Sequence, residues 1–280
     1  PLSALQESVI EMHRFFISPQ NIKANYVSID PEEARHIEKV LRLTTGDIVV
    51  CFDGRGREYQ VRLEGRENGI LTGQIIHTGL RESEPALKLY LAQGIAKGEK
   101  MDTIIQKSVE IGVSAIYPVS CERSVVRLSG DKAEKKVQRW QSIAREACKQ
   151  CRRNLIPQVM PVMNCTSLLE DIGDKPAIML YENEDHTSLK SLLKNQLREI
   201  SGQEIFLLIG PEGGFSSQEV EAAGRQGIYT ASLGPRILRT ETAGLVAASI
   251  ILYECGDLGY GCQGDGSSDT PPGVSEEPSP

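Results

Sequence analysis

The sequence predicts an α/β protein in two parts, a small β-barrel followed by a domain built on a mostly parallel sheet. Three observations carry that reading. Residues 12–82 hold short apolar runs separated by turn residues, the rhythm of a small all-β unit. Residues 86–259 alternate strand-like runs with helical patterns, which calls for parallel strands joined by crossover helices. Two glycine-rich loops each follow an apolar run, where open α/β sheets bind their ligands.

In the first part, strands are expected over residues 14–17, 47–52, 58–63 and 69–77. Thr45-Gly46-Asp47 and Asp53-Gly54-Arg55-Gly56 are the turns. One helix, residues 31–41, interrupts them, with Pro31 at its first position and Asp30 as its cap. Glu82-Ser83-Glu84-Pro85 is the joint, dividing residues 12–84 from 85–259. Beyond it, strands are expected over 87–93, 115–119, 158–162, 177–181, 204–209 and 230–233. Helices are expected over 101–111, 133–150, 167–172, 189–200, 217–223 and 242–254. Residues 1–11 have neither the charge nor the apolar core of a signal peptide and read as a leader or an appended extension. Residues 260–280 are Gly, Ser, Pro and acid, a composition too apolar-poor to order, so a disordered tail is expected.

With 40% hydrophobic and 25% charged residues, the chain has an ordinary globular composition. Its longest apolar candidate, residues 243–252, falls short of the about 18 residues of a membrane span, and no membrane partner is expected. Seven cysteines, an odd number, point to reduced thiols in a cytosol-like compartment. Cys148 and Cys151 form a C-x-x-C inside a helical pattern and read as thiols on a helix face. His13, His36, His77 and His186 lack metal-ligand spacing, so no metal is expected.

The net charge of −7 argues at first against a nucleic-acid partner. Its distribution argues otherwise. Residues 85–160 hold 14 basic and 7 acidic side chains, whereas residues 161–260 hold 7 basic and 14 acidic. The acid lies in the second half and the ends, and one stretch is strongly basic.

The first loop, Gly210-Pro211-Glu212-Gly213-Gly214-Phe215, follows the run 206–209. Ser216 and Glu219 are spaced as a capping box for the helix after it. The second runs from Gly234 through Arg236, Arg239 and Glu241 to Gly244. Neither has the Lys-Ser/Thr end of a P-loop or the spacing of a dinucleotide fingerprint. Glycines let backbone N–H groups approach a ligand with no Cβ in the way. A tight turn alone would explain one such loop; two beside Arg236, Arg239 and Glu241 point to a ligand site.

These two loops resemble the signatures of the ribosomal small-subunit RNA uridine-N3 methyltransferases (the RsmE type) of the SPOUT superfamily. Gly98-Glu99-Lys100-Met101, Gln106 to Gly112, Ser120 to Ser124, Glu146 to Gln150 and Arg153-Asn154-x-x-Pro157 match in order. Arg14-Phe15-Phe16 and His36-x-x-x-Val40-Leu41-Arg42 resemble the family's N-terminal domain. The likeness covers about residues 12–259. It implies a PUA-like RNA-binding barrel, a trefoil-knotted catalytic domain, S-adenosylmethionine as methyl donor and a homodimer. The implied substrate is a uridine of 16S-type small-subunit ribosomal RNA, in an assembled 30S-type particle. The implied compartment is the bacterial cytoplasm, or an organelle if a transit peptide preceded the chain. Arg152 departs from the family, where Gly is common.

By motif match the donor would be held by Leu208, Ile209, Gly210, Pro211, Gly213, Leu233, Gly234, Ile237, Leu238 and Thr242. Leu208 and Leu233 read equally well as plain core. A cation would favour the deprotonated uracil N3, and Arg239 and Arg153 are the candidates. Glu212 and Glu241 would orient an arginine or accept the proton, though Glu241 could instead cap the last helix with Thr240. Arg14, Arg42, Lys100, Lys107, Arg123, Gln150 and Arg152 would contact RNA, with Phe15, Phe16 or Trp140 stacking a base. Two other functions stay open: methylation of a ribose 2′-OH, and a non-catalytic RNA-binding assembly factor.

Overall fold

The computed structural model describes residues 13–80, 83–200 and 204–258. The expected extension 1–11 and tail 260–280 lie outside the described residues. The first part comprises β1 (Arg14–Phe16), a 3-10 turn, β2 (Ile22–Lys23), β3 (Tyr26–Ser28), α1 (Pro31–Arg35), β4 (Ile48–Phe52), β5 (Arg57–Glu67) and β6 (Ile70–Leu80). The sheet order is β1-β4-β5-β6-β3-β2, antiparallel except where β1 joins β4, and it forms a half-barrel. β5 alternates as a half-buried strand must, with Tyr59, Val61 and Leu63 turned into the core. Asn68 and Gly69 turn the chain into β6, both at positive φ (+50° and +83°), the conformation a two-residue hairpin demands.

Three features of the half-barrel differ from expectation. The short strands β2 and β3 were not predicted, because two or three residues carry no readable alternation. Asp30 stands at the cap position of α1, yet its carboxylate accepts from Asn21 Nδ2 at 2.8 Å rather than from the helix. The predicted helix 31–41 is α-helical only to Arg35 and continues as a π-helical turn over His36–Val40.

The second part comprises β7 (Lys88–Gly94), α2 (Lys100–Ile111), β8 (Ala115–Ser120), α3 (Gly130–Cys151), β9 (Gln158–Val159), β10 (Met163–Asn164), α4 (Cys165–Ile172), β11 (Ala177–Leu180), α5 (Leu189–Ile200), β12 (Glu204–Ile209), α6 (Ser217–Arg225), β13 (Tyr229–Ala231) and α7 (Thr240–Glu254). The strands lie in the order β10-β8-β7-β12-β11-β13, β9 pairing β8 on the same edge as β10, and every pair is parallel. Helices cover both faces, so the central strands are apolar on both sides. In β12, Ile205, Leu207 and Ile209 join the core under α2, α3 and α7, while Phe206 and Leu208 join the one under α4 and α6. Among the described residues, no helix is long and apolar enough to cross a membrane.

The half-barrel docks at the end of the sheet where the strands begin. Gly56 N donates to Asn154 O at 3.1 Å, Ile156 N donates to Gly54 O at 3.2 Å, and Phe52 is shared with the larger core.

Candidate active site

Because the strands are parallel, the segments after β7, β8, β12 and β13 all emerge at the opposite end of the sheet. The glycine loop after β12 closes there on itself, Gly214 N donating to Pro211 O at 2.9 Å. Its glycines are sterically required. A Cβ on Gly210 would stand 3.0 Å from the Gly214 carbonyl carbon, and one on Gly213 would stand 2.9 Å from Arg123 O. Gly214 also has φ +69° and crosses close over the Glu182 carboxylate. Across the gap, a Cβ on Gly94 would run into Gly210 and Pro211. The capping box expected from Ser216 and Glu219 is formed, and Glu219 Oε1 also accepts from Glu122 N at 2.9 Å, fastening the segment after β8 to α6.

Three charged side chains meet beside this loop. Lys100 Nζ, at the start of α2, lies 3.4 Å from Glu212 Oε1 and 3.3 Å from Glu241 Oε2. Their side chains are 36%, 26% and 22% exposed, so the cluster is accessible from solvent. Lys97 N donates to Glu212 Oε1 at 3.0 Å. Burial alone would raise the Glu212 carboxyl. The backbone donors and the Lys100 ammonium outweigh it and hold the group below its ordinary value. Glu241 does not cap α7: the N-cap residue is Arg239, without a side-chain cap, and Glu241 reaches Lys100 instead.

Beneath the cluster is a feature the sequence reading did not single out. Gln93, fully buried near the end of β7, donates through Nε2 to Gly94 O at 3.0 Å and to Thr240 Oγ1 at 2.9 Å. Thr240 Oγ1 in turn donates to Gly210 O at 2.6 Å. Gln93 Oε1 has no hydrogen-bond partner among the described residues, which costs about 1–3 kcal/mol in a buried site. The available signal was one amide at the end of the apolar run Leu89 to Ala92.

The other candidates divide. Gly234, Ile237 and Thr242 are exposed on the second loop or the first turn of α7, Ile237 at 86%. Leu233 and Leu238 are half-buried, and Pro211 and Ile209 are buried. Leu208 is packed into the core under α4 and α6, so only its backbone can face a ligand. Arg239 is exposed and forms no ion pair with any described residue, and Arg123 is exposed with its Nη1 directed at Gly213 O (3.4 Å). Lys107 is tied to Glu110 at 2.9 Å.

Arg153 is not a catalytic candidate in this fold. It is 5% exposed, at the far end of the sheet. It donates to Glu84 Oε2 at 2.9 and 2.5 Å and to the carbonyls of Val109 and Val113 at 2.9 and 2.8 Å. Arg14 is likewise spent inside the protein, over the Phe52 ring (4.4 Å) and bonded to Glu58, Asn154 and Arg153 O. Gln150 and Arg152 are exposed at that end too, and Arg42 is exposed on the half-barrel. Arg152 has φ +64°, the left-handed C-cap of α3, where glycine is the unstrained residue. Much of the basic stretch is already paired, Arg139 with Asp102 and Lys149 with Glu33 and Glu146. Phe15 and Trp140 are buried in the two cores and cannot stack a base, and Phe16 lies under Arg145. Cys148 is buried, its thiol pushed up to about 12.

A family model described as an RNA methyltransferase domain matches residues 82–252, and one described as an RNA methyltransferase PUA domain matches residues 29–76. The chain belongs to the RNA methyltransferase family. Within that family, the Ribosomal RNA small subunit methyltransferase E of Bacillus subtilis is 38% identical over 250 residues, covering 87% of this chain and 97% of that protein. The crystal structure of a Ribosomal RNA small subunit methyltransferase E from Neisseria gonorrhoeae, bound to S-adenosyl methionine, is 34% identical. It superposes with a TM-score of 0.77 over 89% of this chain and 100% of that one. A methyltransferase from Legionella pneumophila, in complex with SAM, is 31% identical with a TM-score of 0.76, covering 86% and 97%. The half-barrel and parallel sheet are thus the PUA-like and SPOUT-type units of RNA methyltransferases.

Proposed function

We propose that the protein methylates N3 of a uridine in small-subunit ribosomal RNA, with S-adenosylmethionine as donor. The carrying observation is the Lys100–Glu212–Glu241 cluster between two glycine loops at the ends of parallel strands. The site fits such a donor because open space stands where a Cβ of Gly234 would be, so backbone at the end of β13 lies uncovered beside the tightly packed glycine loop after β12. Gly210, Pro211, Gly213, Leu233, Gly234, Ile237, Leu238 and Thr242, with the backbone of Leu208 and Ile209, would hold it. When bound, S-adenosylmethionine supplies a methyl group already activated on a sulfonium.

The chain's own residues then have three tasks. Arg239, exposed and free of carboxylate partners among the described residues, stabilises the uracil anion as N3 loses its proton. Glu212, held ionised by Lys97 N and Lys100, orients Lys100 toward the loop. Glu241, paired with Lys100 through Oε2 and with its side chain 22% exposed, accepts the proton. Lys100 and Arg123 steer the RNA into the site, and Arg42, Lys107, Gln150 and Arg152 extend its track.

The rest of the reading follows from the same resemblance. The half-barrel is residues 12–84 and the catalytic domain 85–259, with a trefoil knot formed where the second loop returns the chain through α7 to the centre of the sheet. Two copies pair, the substrate is a 30S-type particle, and the compartment is the bacterial cytoplasm. The test is mass spectrometry of nucleosides from small-subunit RNA incubated with the protein and S-adenosylmethionine. N3-methyluridine is the expected product. A 2′-O-methyl nucleoside, or no modified nucleoside, would overturn the assignment.

A further inference from the structure

We infer that Gln93 and Thr240 form a positioning relay that locks the two glycine loops to each other. Its directions are fixed by the chemistry of the partners. Gly94 O can only accept, so the amide of Gln93 must face it through Nε2. Gly210 O can only accept, so the Thr240 hydroxyl spends its one proton there. Thr240 Oγ1 then receives the second proton of Gln93 Nε2. One line of donors therefore runs from the end of strand β7 through the first residue of α7 to the first residue of the glycine loop. Thr240 follows Arg239 and precedes Glu241, so the same line fixes the residues beside the reacting atoms.

The relay explains an otherwise costly arrangement. Gln93 is fully buried in an apolar core, with Oε1 unpartnered among the described residues. The nearby backbone is Gly244 of α7, whose missing Cβ would stand 3.4 Å from Oε1. A leucine would suit such a site better for stability. What the amide adds in exchange is its bond to Thr240, which carries the line on to Gly210 O. Gln93 and Thr240 touch neither reacting group and act through Gly210.

This inference deepens the proposed function, and its test has a readout that does not depend on it. The full chain is compared with Thr240→Val, which keeps the volume and removes the hydroxyl, Thr240→Ser, which keeps the hydroxyl, and Gln93→Leu. Amide hydrogen exchange is read at Gly214 in the first loop and at Thr242 and Ala243, whose N–H groups donate to Arg239 O at the end of the second. Thr240→Val and Gln93→Leu should speed exchange in both loops by about tenfold, the equivalent of one buried hydrogen bond, and Thr240→Ser should restore most of the protection. Calorimetry should give about tenfold weaker S-adenosylmethionine binding for Thr240→Val, with KM for that donor rising in step and KM for RNA steady. Gln93→Leu should lose the same affinity while its Tm holds or rises, since the orphan oxygen goes too. Unchanged exchange in Thr240→Val, or a Thr240→Ser as impaired as Thr240→Val, overturns the relay. A wild-type chain that binds no S-adenosylmethionine overturns the proposed function instead.

Discussion

The two ends of the parallel sheet each carry a cation set among acceptors, and the two are built to opposite ends. At one, Lys100 faces Glu212 and Glu241 at 3.4 and 3.3 Å, with its side chain 36% exposed. At the other, Arg153 faces Glu84 and two backbone carbonyls within 3 Å, with its side chain 6% exposed. Lys100 has a compact ammonium, long contacts and solvent beside it, so it can exchange partners. Arg153 has a planar fork whose Nε, Nη1 and Nη2 all donate to fixed acceptors, so it cannot. Residue type alone does not separate reactive from structural charge; burial and saturation of donors do.

The comparison breaks most visibly at Arg153. Arg153→Met strands the Glu84 carboxylate and the carbonyls of Val109 and Val113, and should cost about 3–5 kcal/mol in urea unfolding. A loss below about 1 kcal/mol would put the pair in the class of surface ion pairs. Next in size is Lys100→Met. It should lower turnover about 100-fold, the loss expected from misplacing reacting groups, while the urea midpoint hardly moves. A variant with full turnover and reduced stability would reverse the roles of the two ends.

The smallest effect is acid titration of Glu212. Its folded value lies below the ordinary 4.5, so the ionised group stabilises the fold above that value, and this contribution is lost as pH falls through the lower folded value. Glu212→Gln should therefore show a shallower loss of stability below about pH 4.5 than wild type. Parallel curves would mean that Lys97 N and Lys100 do not favour the charged form.

Local features were legible in advance. The capping box of Ser216 and Glu219 lies within four residues, and helix α5 shows a clear apolar period over Leu189–Ile200. Glycine loops at strand ends were equally readable, because their spacing and their strain are local. Arg153 and Arg14 were misjudged for one reason: a basic residue in a basic stretch looks solvated until a partner 69 or 44 residues away is brought to it. The stretch from 85 to 160 looked like one RNA-facing patch for the same reason. Folding splits it between the loop end and the half-barrel end, and pairs much of it on the way.

By itself the sequence determined the two-part order, the helices and strands long enough to show a period, and the glycine loops that end β12 and β13. It also supplied Lys100, Glu212 and Glu241 as separate candidates. Only the tertiary structure decided that these three meet, because Glu212 lies 115 residues from the Lys97 N–H that holds it. It also decided that Gln93 reaches Thr240 across 147 residues. Periodicity and turn chemistry act over a few residues, whereas a hydrogen bond across a parallel sheet depends on which strands the crossovers bring side by side. That choice is made by burying both faces of β7 and β12 at once.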